Sequence, residues 1–297
     1  MQAWPRRSVL LHTWIAALLA GFVAVIAMLS GAAPWVAMIG PVVGLGWRRA
    51  ALTPYRRRRA VVAAAFPAAW RAILEERVAF YRRITPEGKA RFEADVAIFL
   101  AEQRMAGPQN SPVPEDIRVL IAAAAAMLGH GRPDWEWPTH RDIIVHLTNF
   151  NADYEPGEHH DIAGMVHAQG PMLLSRKQVR FGFKKSDGTN VAVHELAHVL
   201  DLADGYSDGN PSFWSSVPGW GALVKSRLTK VRKGGREAPL RAYAGTNEAE
   251  LFAVAVEAFF ETPDKLRARD PALFTALSAV FNLDPATGAP CEPIDGA

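Results

Sequence analysis

The sequence predicts an α+β protein that is mainly helical, contains a small sheet and is preceded by a transmembrane helical hairpin. Three observations support this prediction. Residues 8–47 contain no Asp, Glu, Lys or Arg, and about 20 apolar residues suffice to span a bilayer. Apolar residues recur at helical spacing over most of residues 60–130 and in two later segments. Two short runs between them, 143–147 and 164–168, resemble strands.

The N-terminal apolar block divides at Ser30-Gly31 into two predicted spans, of about residues 9–29 and 32–47. A hairpin satisfies the positive-inside rule, because it leaves the flanking arginines on one side of the membrane. The hairpin has two alternatives. One is a single span, which would place the two arginine clusters on opposite sides of the membrane; the other is a buried pair of core helices. We therefore expect residues 1–59 to anchor the protein in the inner membrane, with the folded domain in the cytoplasm. The arginines concerned are Arg6, Arg7, Arg48, Arg49 and Arg56–Arg59.

The charge distribution argues against a nucleic-acid-binding face. The formal net charge is +3, and residues 1–59 hold eight Arg but no Lys, Asp or Glu, so that residues 60–297 carry −5. A nucleic-acid-binding domain normally carries positive charge on its folded face, so we expect no direct nucleic-acid binding. Cys291 is the single cysteine, which excludes an intramolecular disulfide and argues against Cys-ligated zinc.

Residues 60–286 are expected to form one domain, followed by a flexible tail over residues 287–297. The first part of this domain is predicted to be helical. An Ala-rich helix covers Ala60–Ile84, and a second begins at Thr85-Pro86, where threonine can cap and proline suits the first helical position. A third helix is predicted to begin at Pro114.

The middle of the domain contains the predicted sheet. Its strands are Ile143–Leu147 and Gly164–Ala168, while the type of Met172–Phe183 is ambiguous. His159-His160, in the loop between the two strands, are more plausible as lining of a cleft than as metal ligands, because adjacent side chains point apart. A basic helix with a solvated face is predicted over Gly221–Lys233.

The stretch 194–198, His-Glu-Leu-Ala-His, carries the main chemical signal. Residues four apart lie on one face of a helix, so His194 and His198 can share a metal ion. Glu195 lies about 100° further round the helix, where it can reach a water on the metal without ligating the metal. This H-E-x-x-H pattern is typical of zinc hydrolases, with two histidine ligands and a glutamate as general base.

The residues around this motif favour a real, buried helix. Thr189 or Asn190 can cap its start, and Asp204-Gly205 can end it. Asp201 follows His194 by seven residues and lies on the same face, where a carboxylate can accept the second N–H of a ligand histidine.

A catalytic zinc site also needs a third protein ligand and an open position for water. The best source is segment 246–260, which is apolar nearly all round and must therefore be buried. Its Glu250 and Glu257 share one face, and their burial is costly without partners such as a metal and its histidines. We expect Glu250 to be the third ligand; the alternative is a capping-box residue that answers Asn247. Glu257 is expected to support a ligand or form an ion pair, and Glu248 to be a first-turn acid.

Tyr243 lies just before this helix, seven residues ahead of Glu250. A phenol at this position could donate a hydrogen bond to the oxyanion of a tetrahedral intermediate, which makes Tyr243 a second candidate catalytic residue. A tyrosine in the core or at the rim of the cleft is the alternative.

The stretch 194–201, HELAHVLD, together with Asp204-Gly205 and the pattern Y-A-x-x-N-x-x-E-x-F-A-V-x-x-E-x-F-F over residues 243–260, resembles the zinc peptidases of the Mlc titration factor A family. The similarity covers roughly residues 60–286. The N-terminal apolar block departs from the better-known members, which are soluble and lack it.

The resemblance implies a zincin-like metallopeptidase domain of the gluzincin type, with aminopeptidase-type activity on peptides. It implies one zinc ion per chain, held by His194, His198 and Glu250, with Glu195 as general base and Tyr243 as transition-state donor. A sugar-responsive transcription repressor is implied as a partner, because relatives in some bacteria bind one.

The sequence thus predicts a zinc metallopeptidase that contacts the lipid bilayer through its N-terminal segment. The alternative from another class is a regulatory protein that sequesters a transcription repressor or membrane partner, with incidental hydrolysis. A structural zinc domain fits less well, because structural sites prefer four Cys or His ligands and leave no position for water.

Overall fold

A computed structural model describes residues 1–3, 5–31, 33–138, 141–155, 157, 161–211, 217–234 and 240–291. The chain divides into two compact units, Met1–Ala65 and Phe66–Ala297. The predicted boundary between anchor and domain, at residues 59 and 60, falls within the last helix of the first unit.

Three helices form the described part of the first unit: α1 (Arg6–Leu29), α2 (Ile39–Ala51) and α3 (Thr53–Ala63). Among the described residues, α1 is the one helix long and apolar enough to cross a membrane. The second predicted span is divided into a 3-10 turn, Pro34–Met38, and the 13-residue helix α2. Pro41 lies in the first turn of α2. Proline is tolerated there, because the first N–H groups of a helix have no intrahelical partner.

Helices α1 and α2 pack against each other through small residues. A Cβ atom on Gly40 would collide with the backbone of Ala20, and one on Gly44 with the backbone of Ala16. By contrast, only 6% of the apolar stretch of α1 is buried, and Leu18 is 70% exposed. Within the first unit, the apolar surface of α1 is therefore largely uncovered.

The second unit is mainly helical, as predicted. The described helices are α4 (Ala68–Arg77), α5 (Ala79–Arg83), α6 (Pro86–Glu102), α7 (Glu115–Gly129), α8 (Arg176–Gly182), α9 (Val191–Asp201), α10 (Trp220–Lys233), α11 (Glu248–Glu261), α12 (Pro263–Arg269) and α13 (Pro271–Phe281). Helix α11 packs against α9, α10, α12 and α13, whereas the longest helix of this unit, α6, packs against α7.

The prediction of one helix over Ala60–Ile84 is wrong, because the segment is divided among α3, α4 and α5. Pro67 biases the preceding residue away from the helical region, which separates α3 from α4. Val78 is extended, with φ −102° and ψ 98°, and separates α4 from α5. The predicted cap at Thr85 is confirmed, since its side chain accepts a hydrogen bond from the N–H of Gly88 at 3.1 Å.

A small mixed sheet has the strand order β1-β2-β4-β3. Strand β2 is parallel to both β1 and β4, whereas β3 is antiparallel to β4 and forms an edge. The two predicted strands are present with shorter bounds, and the ambiguous segment Met172–Phe183 forms β4 followed by α8. The two-residue strand β1 was not predicted, because it is too short for a periodic pattern. The strands are β1 (Met105–Ala106), β2 (Ile143–His146), β3 (Gly164–Val166) and β4 (Met172–Ser175).

Helix α11 lies at the centre of the core of the second unit. Its aromatic residues Phe259 and Phe260 contact Phe281, with ring centroids 5.7 and 5.2 Å apart, and Phe260 also contacts Phe80 at 5.9 Å. Helix α9 packs directly against α11. The carboxylates of α11 are therefore held by a buried helix whose packing leaves it little freedom to move.

Ordered structure continues past the predicted start of the flexible tail at residue 287. Asp284 donates its N–H to the carbonyl of Ala289 at 2.9 Å and accepts from the N–H of Gly288 at 2.7 Å. Gly288 has a positive φ of 69° and lies against Ile84. Residues 292–297 of the predicted tail lie outside the described residues.

Candidate metal centre

Helix α9 carries both predicted histidine ligands. Asn190 caps it, because its Oδ1 accepts a hydrogen bond from the N–H of Val193 at 3.3 Å. The segment ends at Gly205, which has the left-handed φ of 93° that favours glycine. His194 and Glu195 are each 5% exposed. Capping and termination thus follow the sequence prediction, and the motif is buried.

Helix α11 directs Glu250 at the histidines of α9. Asn247 caps α11 by accepting a hydrogen bond from the N–H of Glu250 at 2.8 Å. The side chain of Glu250, however, turns away from this cap. Its Oε2 lies 3.1 Å from Nε2 of His194 and 3.5 Å from Nε2 of His198. This orientation does not fit the capping-box alternative, in which the carboxylate reaches back to Asn247.

The three ligand-type atoms fit a tetrahedral zinc ion. Nε2 of His194 and Nε2 of His198 are 3.2 Å apart, which completes a triangle with Oε2 of Glu250. Ligands at about 2.0–2.1 Å from a tetrahedral zinc ion would lie about 3.3–3.4 Å from one another. The Oε2 atom is buried, and a buried carboxylate is costly unless a cation, such as a metal ion or a protonated histidine, compensates it. Two imidazoles and one carboxylate are also a donor set that zinc accepts.

Glu257 fixes the orientation of His194 from behind. Its Oε1 accepts a hydrogen bond from Nδ1 of His194 at 2.6 Å, which leaves Nε2 to face Glu250. Oε2 accepts from the backbone N–H of Asn190, also at 2.6 Å, and Arg241 pairs with Oε1. Glu257 is 1% exposed. A carboxylate that holds the outer N–H of a histidine is the usual support for a histidine ligand.

The carboxylates of the site favour positive charge at its centre. Burial lowers the pKa of His194, but Glu250 and Glu257 outweigh burial and raise the pKa to about 10. Burial likewise opposes ionisation of Glu250, but the two histidines outweigh it and hold the pKa of Glu250 well below its usual range. Burial raises the pKa of Glu195 to about 7.

Asp201 does not accept a hydrogen bond from a ligand histidine, which corrects the sequence-based expectation. Its Oδ2 accepts from the N–H of Gly209 at 3.0 Å and from Oγ of Ser207 at 3.4 Å, and Oδ1 has no hydrogen-bond partner. Gly209 lies against the backbone of Glu248, at the start of α11. Asp201 therefore connects the end of α9 to the start of α11, because the loop after α9 folds back over that carboxylate.

Tyr243 lies at the rim of the site. Its ring centroid is 6.0 Å from that of His194, and the side chain is 53% exposed. Partial burial, with the carboxylates of Glu250 and Glu195 nearby, raises the pKa of the phenol, which therefore keeps its proton at neutral pH. This position excludes a tyrosine in the core and agrees with one at the rim of the cleft; the role of Tyr243 as a donor stays a prediction.

A cleft of about 450 Å³ adjoins His194 and Glu195. Strand β3 forms part of its wall through Gly164. A Cβ atom on Gly164 would lie 2.6 Å from both Cγ and Oε1 of Glu195. Glycine at this position therefore allows the edge strand to touch the side chain of Glu195.

Two residues of the site were not predicted. Arg241 lies in irregular chain before a 3-10 turn, where no periodic pattern indicates its contacts. The one signal in the sequence for a place in the site was that it precedes Tyr243 by two residues. Gly164 could have been noticed as a glycine at the first position of a predicted strand. His159 and His160 lie outside the described residues.

Comparison with known proteins identifies the class to which this site belongs. Residues 52–282 match the model of the family described as glucose-regulated metallo-peptidase M90. This match covers most of the chain, and the chain therefore belongs to that metallo-peptidase family. The family resemblance inferred from the two helical motifs is confirmed.

The alignments with individual relatives cover most of the length of each relative. The chain is 28% identical over 222 residues to the Mlc titration factor A of Salmonella arizonae, which covers 68% of this chain and 86% of the relative. The corresponding protein of Salmonella paratyphi B is 28% identical, with 82% of the relative covered. An uncharacterised protein of Synechocystis, slr2042, is 26% identical over 240 residues, or 74% of this chain and 85% of the relative.

Proposed function

We propose that this protein is a zinc-dependent peptidase of the aminopeptidase type, with one zinc ion per chain. The observation that carries the proposal is the convergence of Nε2 of His194, Nε2 of His198 and the buried Oε2 of Glu250, all within 3.5 Å of one another. Membership of a metallo-peptidase family supports it. The antiparallel edge strand beside α9 supports a zincin-like fold for the domain.

A zinc ion held by these three residues would supply Lewis acidity, which polarises a scissile carbonyl and makes a water more acidic. Glu195 takes the proton from the attacking water and returns it to the leaving amine. Its contact with Gly164 supports this role, because a peptide laid along β3 would pass next to the carboxylate. Tyr243 donates its phenolic O–H to the oxyanion that forms at the carbonyl.

Substitution of Glu195 separates catalysis from metal binding. We expect Glu195→Gln in the full-length protein, purified in detergent, to keep one zinc ion per chain and to lose hydrolysis of unblocked peptides. Zinc is measured by mass spectrometry and cleavage by the release of free amino acids. N-terminally blocked peptides test the aminopeptidase type, because an aminopeptidase should not cleave them. Hydrolysis at the wild-type rate by Glu195→Gln would contradict the assignment of the base.

A matched pair on α11 tests the third ligand. Glu250→Ala should lose most of the bound zinc, whereas Glu248→Ala, two residues earlier in the same first turn, should retain it. Equal zinc contents in the two variants would contradict the role of Glu250.

We also propose that residues 1–59 anchor the protein as a hairpin in the inner membrane, with the catalytic domain, residues 60–286, in the cytoplasm. The exposed apolar surface of α1 and the close contact of Gly40 and Gly44 with α1 support this arrangement.

A lysine at the centre of a membrane helix costs about 2.5–3.5 kcal/mol. We therefore expect Leu18→Lys to release protein from membranes into the alkaline-soluble fraction, whereas the conservative Leu18→Ile should leave it in the membrane.

A second candidate function is regulation by sequestering a partner. Relatives named Mlc titration factor A support it, because that name describes titration of Mlc. For this chain, the partner proposed is a transcription repressor of that kind. Capture of a purified repressor by both the wild type and Glu195→Gln would favour regulation that is independent of hydrolysis. No capture by either protein would exclude this second function.

A further inference from the structure

Arg241 is a partly exposed cation in the cleft that the proposed reaction does not use. Its side chain is 37% exposed, and Nη2 donates a hydrogen bond to Oε1 of Glu257. Nη2 also lies 3.5 Å from Nδ1 of His194. Nε and Nη1 donate no hydrogen bond to any described residue. Neither nitrogen is among the buried polar atoms that lack a partner. These two nitrogens are therefore available to a ligand.

Glu257 and Tyr243 hold the guanidinium group in place. Glu257 is itself fixed, because it is buried and also accepts hydrogen bonds from His194 and from the N–H of Asn190. The guanidinium carbon lies 5.7 Å from the centre of the Tyr243 ring, within the range of a cation–π contact. A guanidinium held in this way loses little conformational freedom when its remaining N–H groups bind an acceptor.

Among the described residues that line the cleft, Arg241 is the only lysine or arginine. The carboxylates of Asp161, Glu195 and Glu257 line the same cleft. A negatively charged ligand group is repelled by these acids and attracted by Arg241, which lines the cleft next to His194. The planar N–H groups of arginine match a carboxylate in shape and charge.

We propose that Arg241 binds the C-terminal carboxylate of a short peptide, and so selects substrates with a free C terminus. The identification of the ligand as a peptide rests on the proposed peptidase function. Arg241 and Glu195 line one cleft of about 450 Å³, within the volume range of small-molecule sites. One short peptide can therefore contact both residues.

Kinetics on a matched pair of peptides test this role. The full-length protein in detergent is assayed with tri-alanine and with tri-alanine amide, which differ only in the terminal charge. Charge-assisted hydrogen bonds predict a kcat/KM about tenfold to a hundredfold higher for the free acid. In Arg241→Gln this ratio should fall to about one, and in Arg241→Lys it should be partly restored. The ratio is internal to each variant, so a change in zinc content or folding affects both peptides alike.

Arg232→Gln is the matched control. Arg232 donates hydrogen bonds to the carbonyls of Gly245 and Thr246, at the other end of the turn that follows Arg241, and it does not line the cleft. Its ratio should equal that of the wild type. A wild-type ratio near one, or a ratio that Arg241→Gln leaves unchanged, overturns the proposal.

Binding to Glu195→Gln separates this inference from the proposed function. Titration calorimetry should find tri-alanine bound more tightly than its amide, and the further change Arg241→Gln should abolish the difference. That result would support the carboxylate site whether or not the wild type cleaves either peptide. Failure of the wild type to cleave both peptides would contradict the proposed peptidase function and leave the carboxylate site intact. Equal affinities, or no binding of either peptide, overturn the carboxylate site. Preference for Ala-Asp-Ala amide over tri-alanine would overturn the C-terminal assignment, because it would place a side-chain carboxylate at Arg241.

Discussion

Replacement of Glu257 by glutamine tests how strongly the metal centre depends on a residue that does not reach the metal. In the native protein Oε1 accepts hydrogen bonds from His194 and Arg241, and Oε2 accepts from the N–H of Asn190. Glutamine has the same shape but one acceptor oxygen. In either orientation of the amide, its NH₂ group must face one of these donors.

The magnitude of the effect follows from this arrangement. Loss of a carboxylate behind a histidine ligand lowers metal affinity about tenfold to a hundredfold, or about 1.4–2.7 kcal/mol. The donor that faces the NH₂ group loses its partner inside the protein, which costs a further 1–3 kcal/mol or so in the free energy of unfolding. We therefore expect Glu257→Gln to bind zinc more weakly and to unfold at a lower temperature than the wild type.

Competition with a chromophoric chelator measures the zinc dissociation constant of the full-length protein. Glu248→Gln is the control, because the side chain of Glu248 lies on the same helix and makes no hydrogen bond to any described residue. Zinc affinity in Glu257→Gln within twofold of the control would refute the supporting role of Glu257.

Three further predictions concern residues around the centre. Gly164→Ala should lower kcat while zinc content stays at one per chain, because the new Cβ would displace Glu195 or strand β3; unchanged kcat would show that the contact is unimportant. Asp201→Ala should weaken zinc binding through the loop at Gly209, and retention of full affinity would exclude this coupling. Burial raises the pKa of Glu261 from 4.5 to about 7, so native stability is lost as pH rises between these values. Glu261→Gln should relieve a cost of up to about 3 kcal/mol at pH 8 but little at pH 4, and equal changes in unfolding temperature at both pH values would contradict this origin.

The sequence was most informative where local rules decide the structure. Asn190 and Asn247 cap α9 and α11 as side-chain capping predicts, and Gly205 terminates the motif segment. Burial of α11 followed from its all-round apolar composition. The direction in which Glu250 points could also be expected, because a buried carboxylate requires a compensating partner.

Features that depend on long-range packing were harder to predict. Asp201 and Glu257 both had suitable spacing for supporting a histidine, but the approach of α11 to α9 decides that Glu257 does so. The loop after α9 instead folds onto Asp201. Arg241 lies in irregular chain, so that no repeat in the sequence points to its contact with Glu257.

X-ray absorption at the zinc edge, on the zinc-loaded full-length protein, examines the ligand set itself. We expect nitrogen and oxygen ligands at about 2.0–2.1 Å, with a two-histidine signature and no sulfur, and we expect Glu250→Ala to lose the bound zinc or one protein oxygen ligand. A sulfur ligand, a single histidine, or an identical spectrum for Glu250→Ala would contradict a zinc centre built from His194, His198 and Glu250.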